Sequence, residues 1–215
     1  MSSPRWPVVV FDLDGTVVNT IPLIIASYEH AMLDVLGERP RPGEARGWIG
    51  EPLYTTFGSR YPERAQELID SYVVWNLAHL PELLEDFPGT PGLLRSLRDA
   101  GARLGVATSK RRSSAETTLR HAGLEGLLEV TVAMEDTAVH KPEPDPLLLA
   151  LERLGARPEE AAYVGDAAVD VLAARAAGMA AIAVSWGAAT RDALVSARPD
   201  ALVDTVEQLQ ALLLP

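Results

Sequence analysis

The sequence predicts an α/β fold: a Rossmann-like, doubly wound parallel sheet core carrying an inserted α-helical cap domain. Three observations predict it. Short apolar runs alternate with helix-like segments, which is the pattern of βαβ units. The runs are apolar almost throughout rather than at every second residue, as in strands covered on both faces. One long stretch after the first run breaks this rhythm and holds helical patterns only. The 215 residues are enough for such a core, because a chain of this size buries about 70% of its unfolded surface without help from a metal or disulfide.

The first strand is predicted at residues 8–13. Helix 21–36 follows and stops at Gly37, and a long helix is predicted at 62–80, with a Pro-, Gly- and Arg-rich segment 39–50 between them. Residues 18–87 are therefore read as the cap, and 1–17 with 88–215 as the core. The segment Phe87-Pro-Gly-Thr-Pro-Gly92 returns the chain to the alternating pattern. Helix 91–100 opens on Thr90 and Pro91 and closes at Gly101. Strand 103–108, helix 113–122, strand 129–133, helix 146–154, strand 161–164, helix 168–177 and strand 181–184 come next, and a last short strand at 201–203 completes the sheet. Gly123, Gly155 and Gly178 end three of these helices.

Composition narrows the function. The formal net charge of −11 repels nucleic acid and anionic lipid, so neither is an expected partner. An anionic substrate then needs cations placed locally at its site. There is no Cys, which rules out a thiolate metal site or Cys nucleophile and fits a cytoplasmic location. The start MSSPRWPVVVF resembles neither a signal peptide nor a membrane span.

Four groups of residues carry chemistry. Asp12-Leu13-Asp14-Gly15-Thr16 follows the first strand, so both carboxylates lie at its C-terminal end, where ligands bind in open α/β sheets. Two crowded carboxylates imply either a divalent metal or an acid paired with a base. A turn residue explains one Asp, not two beside a Gly. Thr108-Ser109-Lys110 ends the next strand, where a hydroxyl can donate to a phosphate oxygen or simply cap a helix. In His140-Lys141-Pro142-Glu143-Pro144-Asp145-Pro146 the prolines forbid helix and are expected to hold the chain extended, aiming Lys141 as an anion clamp. Val164-Gly165-Asp166 ends another strand, with Asp170 one turn into the following helix; oxygen ligands of this kind suit Mg²⁺. All four groups fall at C-terminal ends of parallel strands, and so at one edge of the sheet.

This ordered set resembles the haloacid dehalogenase superfamily of phosphohydrolases, over nearly the whole chain. Asp12 and Asp14 match the family's DxD motif, Thr108 its Thr/Ser motif, Lys141 its Lys motif, and Asp166 with Asp170 its acidic motif. The insert resembles the α-helical cap type. The tracts IGEPLYTTF (49–57), Trp75-Asn76 and HKPEPDP (140–146) resemble the bacterial branch that holds phosphoglycolate phosphatases and inorganic pyrophosphatases. Two positions depart: Ala167 stands where many members have Ser or Thr, and Asn19 where many have Asp.

The resemblance implies a Mg²⁺-dependent hydrolase of a small phosphorylated anion, monomeric or homodimeric. Asp12 is implied as nucleophile and Asp14 as general acid and base. Asp12, the Asp14 carbonyl and Asp166 are implied metal ligands, Thr108, Ser109 and Lys141 phosphate ligands, and Asp170 the residue that orients Lys141. Asp14 argues against dehalogenation, whose halide needs no proton. A sugar phosphomutase is the alternative, with Arg46 and Arg60 as candidates for its second phosphate; an idle binding protein has no need of the full set. Trp48, Ile49 and Gly50 are the expected specificity loop. Trp75 is expected in the cap's own core, and Lys110-Arg111-Arg112 at the mouth. No run of residues in the insert marks an extended apolar pocket, so a small polar substrate is expected.

Overall fold

A computed structural model describes residues 3–215. Strand β1 (Val8–Phe11) enters the core, and a two-residue strand β2 (Val18–Asn19) leads out of it. The insert follows as α1 (Ile21–Leu36), a 3-10 turn at Ala45–Trp48, α2 (Leu53–Arg60) and α3 (Ala65–Leu83). Strand β3 (Glu85–Asp86) pairs antiparallel with β2, so the two chain crossings into the insert are tied to each other. The remaining elements are α4 (Thr90–Asp99), β4 (Arg103–Ala107), α5 (Arg112–His121), β5 (Val130–Val132), α6 (Asp145–Leu154), β6 (Ala161–Gly165), α7 (Ala168–Ala176), β7 (Ala180–Val184), α8 (Arg191–Ala197), β8 (Ala201–Val203) and α9 (Val206–Leu213).

The six core strands run in the order β5-β4-β1-β6-β7-β8 and every pair is parallel. Counted in chain order this is 3-2-1-4-5-6, the doubly wound arrangement, with the direction of winding reversing between β1 and β6. Alternate residues of each strand feed two separate cores. Val9, Phe11, Val106, Val164 and Ile182 pack under α4, α5 and α9, through Leu93, Leu97, Leu119 and Leu209. Val8, Val10, Ala107, Tyr163 and Ala181 pack under α6, α7 and α8, through Leu147, Leu151, Val171 and Leu194. With both faces buried over most of their length, these strands are apolar almost throughout, which is why the runs read as nearly continuous.

The insert has its own core around Tyr28, whose ring meets those of Trp48, Phe57 and Tyr72 at centroid distances of 5.1, 5.5 and 4.9 Å. No helix of the described residues is long and apolar enough to cross a membrane.

Several sequence expectations need correction. The long helix starts at Ala65 rather than 62 and runs through Pro81 to Leu83. A proline in the last turn is tolerated there because the carbonyl it leaves unpaired belongs to Leu77, on an exposed stretch. Helix α2 and strand β3 lie where no separate element was expected. The 140–146 loop is not extended: it reverses over 140–143, where the Glu143 N–H donates to the His140 carbonyl and the Lys141–Pro142 peptide is cis. Prolines forbid helix, but they permit turns equally well.

Candidate active site

The site lies where the winding reverses. The Asp12 N–H donates across to the Val164 carbonyl at 2.8 Å, which draws the end of β1 onto the end of β6 and sets Asp12 beside Asp166. Gly15, with φ +84°, lets the chain turn immediately behind the two N-terminal carboxylates; a Cβ there would fall 2.5 Å from Asp166 Oδ2. The loop after β7 closes the other side. At Gly187 a Cβ would stand 2.2 Å from Asp166 Oδ2, and the next N–H, of Ala188, donates to that oxygen at 2.6 Å. Thr16 Oγ1 donates to Asp166 Oδ1 at 2.9 Å. Asp166 is thus held from both ends.

Lys141 is buried and shared. Its Nζ lies 2.9 Å from Asp12 Oδ1, 2.7 Å from Asp170 Oδ1 and 3.0 Å from the Tyr163 hydroxyl, which in turn donates to the Ala107 carbonyl. The ion pairs raise its pKa well above the usual lysine value although burial works against this. Asp170 also accepts from the Ala167 N–H at 3.0 Å, at the start of α7. Asp14 is turned away from Lys141: its Oδ1 takes Lys110 Nζ at 2.7 Å and Thr20 Oγ1 at 2.6 Å. Thr108 is buried at the end of β4 and accepts from the Lys110 N–H, and Ser109 lines the same cavity.

The donor set fits Mg²⁺. Asp12, Asp166 and Asp170 offer carboxylate oxygens within 4.8 Å of one another, all buried. Burial, with repulsion from its neighbours, pushes Asp12 up to about 8 against the pull of Lys141. Burial and Asp170 push Asp166 to about 7 although Ala188 and Thr16 stabilise its anion. Three carboxylates against one ammonium leave two negative charges once all are ionised, and only oxygen donors are present, as a hard divalent cation requires. Asp12 and Asp166 would be the residues to hold it, since both line the cavity, whereas Asp170 lies behind them and pairs with Lys141.

The structure brings Asp12, Asp14, Thr108, Ser109, Lys141, Asp166 and Asp170 to one edge of the sheet. It places others elsewhere. Trp48, expected in the specificity loop, is buried in the insert's core against Tyr28, while its neighbours Ile49 and Gly50 line the cavity. The 3-10 turn points Trp48 inward and the next two residues outward. Trp75 fills neither core nor cavity; it stacks between His30 and His79 on the outer side of the insert. Arg112 is turned to Asp136 and the Val130 carbonyl rather than the mouth. Arg46 donates to the Gly187 and Ala188 carbonyls, both at 2.9 Å, and Arg60 pairs with Glu51 and lies over Trp48.

The insert's side of the cavity also corrects an expectation. Ile24 of α1, Ile49, Leu53 of α2 and Ile69, Tyr72 and Val73 of α3 form an apolar wall. No run of sequence announces it, because each helix gives only one to three residues. Tyr163 and the 187–188 loop were likewise missed; the one signal was a lone Tyr in the otherwise aliphatic and small-residue strand AAYVG.

A parallel sheet with carboxylates, a hydroxyl and a buried Lys gathered at its winding switch defines a hydrolase of the haloacid dehalogenase type. That family's model, haloacid dehalogenase-like hydrolase, matches residues 9–184, and the chain belongs to the family as an enzyme of its phosphohydrolase type. Among named relatives, it is similar to the pyrophosphatase PpaX of Bacillus pumilus (strain SAFR-032), at 35% identity over 204 residues covering 95% of this chain and 94% of that one. Among solved structures, it resembles a putative haloacid dehalogenase-like hydrolase from Bacteroides fragilis, with a TM-score of 0.87 at 26% identity and coverage of 95% and 100%. A predicted phosphatase from Clostridium acetobutylicum aligns with a TM-score of 0.86 at 27% identity and coverage of 96% and 97%.

Proposed function

We propose that this protein hydrolyses a small phosphate monoester or a phosphoanhydride such as pyrophosphate, with Mg²⁺, through an aspartyl-phosphate on Asp12, and that residues 18–87 act as its cap. The observation that carries this is the placement of Asp12 and Asp14. Asp12 is gripped by Lys141 on one side, and Asp14 is swung to the other by Lys110 and Thr20, so a phosphoryl group has a nucleophile and a proton donor from different directions.

Asp12 attacks phosphorus and the bond to the leaving oxygen breaks; that oxygen takes a proton from Asp14. Asp14 then removes a proton from water, which attacks the aspartyl-phosphate and frees Asp12 and phosphate. Lys141 and the Thr108 and Ser109 hydroxyls hold the phosphoryl oxygens, and Asp170 and Tyr163 fix Lys141. When bound at Asp12, the Asp14 carbonyl and Asp166, Mg²⁺ offsets the charge of Asp12 and of the transferring group. The insert excludes water over the first step. A sugar phosphomutase would need cations from the insert for a second phosphate, and Arg46 and Arg60 are both engaged elsewhere.

The test is phosphate release from p-nitrophenyl phosphate with Mg²⁺. Asp12→Asn is expected to lower kcat by about 10³-fold or more while the fold is retained. Substantial turnover by Asp12→Asn would overturn the mechanism.

A further inference from the structure

Given the phosphohydrolase function proposed above, on which this inference rests, the cations around the cavity say what the leaving group carries. In that mechanism Asp14 protonates the leaving oxygen, so the leaving group lies on the Asp14 side of phosphorus. Lys110 Nζ holds Asp14 Oδ1 at 2.7 Å on that side. The next residue is Arg111, its Cα about 3.8 Å from that of Lys110, and it lines the same cavity.

Arg111 differs from the other cations near the site. Lys141 is shared by Asp12 and Asp170, Lys110 is paired with Asp14, Arg60 with Glu51 and Arg112 with Asp136. Arg46 is spent on the Gly187 and Ala188 carbonyls. Among the described residues Arg111 enters no ion pair. It precedes α5, but its side chain makes no capping hydrogen bond there, and it is exposed. The carboxylates that could claim it have partners of their own: Asp14 and Glu51 in the lining, and Glu135, which accepts from the Arg112 N–H.

The insert gives the lining the hydroxyls of Tyr28, Tyr54 and Tyr72, the Asn76 amide and the Glu51 carboxylate, but no cation among the described residues. A second anion on the substrate is therefore received from the core side. We infer that Arg111 binds that anion, a phosphate or carboxylate carried by the leaving group, and so selects substrates with two anionic ends over esters of neutral alcohols. A guanidinium fork fits either group, because both present two oxygens to it. Ser114, in the first turn of α5, adds a hydroxyl to the same stretch of lining. With a net charge of −11 the protein as a whole repels such a substrate, and an unpaired cation at the cavity opposes that field locally. A neutral leaving group gains nothing from it. The proton of Asp14 goes to the leaving oxygen, and the second anion stays ionised against Arg111.

The experiment measures kcat and KM with Mg²⁺ for wild type, Arg111→Met and Arg111→Glu on four substrates. Phosphoglycolate and pyrophosphate carry a second anion; ethyl phosphate and p-nitrophenyl phosphate do not. The intrinsic reactivity of each substrate cancels when variant is divided by wild type. Arg111→Met is expected to lower kcat/KM about 10–100-fold on phosphoglycolate, pyrophosphate or both, mainly through KM. That loss should exceed the loss on either neutral ester at least about tenfold. The larger loss falls on phosphoglycolate if the anion is a carboxylate and on pyrophosphate if it is a phosphate. Arg111→Glu reverses the charge and is expected to lower the same substrates further. Both variants should melt with the wild type, since the side chain is exposed and unpaired. Equal losses on all four substrates, or no loss on either anionic one, overturn the inference and leave the hydrolase mechanism standing. No phosphate release from any of the four by the wild type overturns both.

Discussion

Lys141→Met tests the electrostatic design of the site apart from its chemistry. The substitution keeps the length of the side chain and removes its charge. In the wild type the ammonium sits between Asp12 and Asp170, with 3% of the Lys141 side chain and 9% and 2% of the carboxylate side chains exposed. Removing one partner of a buried ion pair costs about 3–5 kcal/mol, because the orphaned charge keeps its desolvation penalty. In a chain of this size each kcal/mol lowers Tm by about 2–4 °C, so metal-free Lys141→Met should melt about 6–20 °C below the wild type. The assay is thermal unfolding followed by circular dichroism, in EDTA. Asp170→Asn added to Lys141→Met should recover part of the loss, because it removes one of the two orphans. The reasoning is refuted if metal-free Lys141→Met melts within 3 °C of the wild type, or if the two substitutions destabilise additively, as independent sites do.

Two further predictions follow from contacts outside that pair. Arg46→Ala removes both hydrogen bonds between the insert and the 187–188 loop that holds Asp166; each hydrogen bond from a charged donor contributes about 1.5–3 kcal/mol, so kcat/KM should fall at least about 10-fold, and unchanged kinetics would show that the contact does not hold the insert closed. Asp136 joins the ends of β5 and α6 to Arg112, with Arg112, Arg153 and the Ala133 N–H all donating to it. Burial opposes its ionisation, but these partners win and hold its pKa down to about 2. A carboxyl whose folded pKa lies below its unfolded one stabilises the protein above the unfolded value near 3.8 and loses that contribution as pH falls toward 2. Asp136→Asn should therefore melt below the wild type at pH 6, and the gap should close between about pH 4 and 2; a gap as wide at pH 2.5 as at pH 6 would contradict the assignment.

The gathering of the candidate site residues was legible because they sit at strand ends. Each of Asp12, Thr108 and Asp166 follows an apolar run that announces its strand, and a parallel sheet brings all such ends to one edge. The strand order was not readable: nothing local says that β6 returns to lie beside β1, although that return is what sets Asp166 against Asp12. The insert was legible as helical but not in its surfaces. Trp48 and Ile49 are adjacent and both apolar, and only the 3-10 turn decides that the first faces the insert's core and the second the cavity. Lys110 read as a mouth residue because its partner Asp14 is 96 positions away. Helices α8 and α9, of 7 and 8 residues, are too short for periodicity to mark.

The two departures from the family pattern can be explained by the residues now seen around them. Asn19 lies on β2, opposite Glu85 of β3, and its amide donates to Glu85 at 2.6 Å. An Asp at 19 would set two carboxylates against each other at the point where the chain crosses into the insert and back, and like charges directly opposite on paired strands destabilise the pairing. The amide is thus matched to this chain's own Glu85. Ala167 precedes α7, where Ser or Thr would offer a hydroxyl; here Asp170 takes the Ala167 N–H, so the turn is closed without one. Ala167 also faces the insert, with the position of a Gly50 Cβ 3.7 Å from its own. A methyl group in place of a hydroxyl at that contact extends the apolar wall onto the core side of the cavity. Both departures therefore leave the carboxylates of the site intact and fall where the insert meets the core, at its attachment and at the space it encloses.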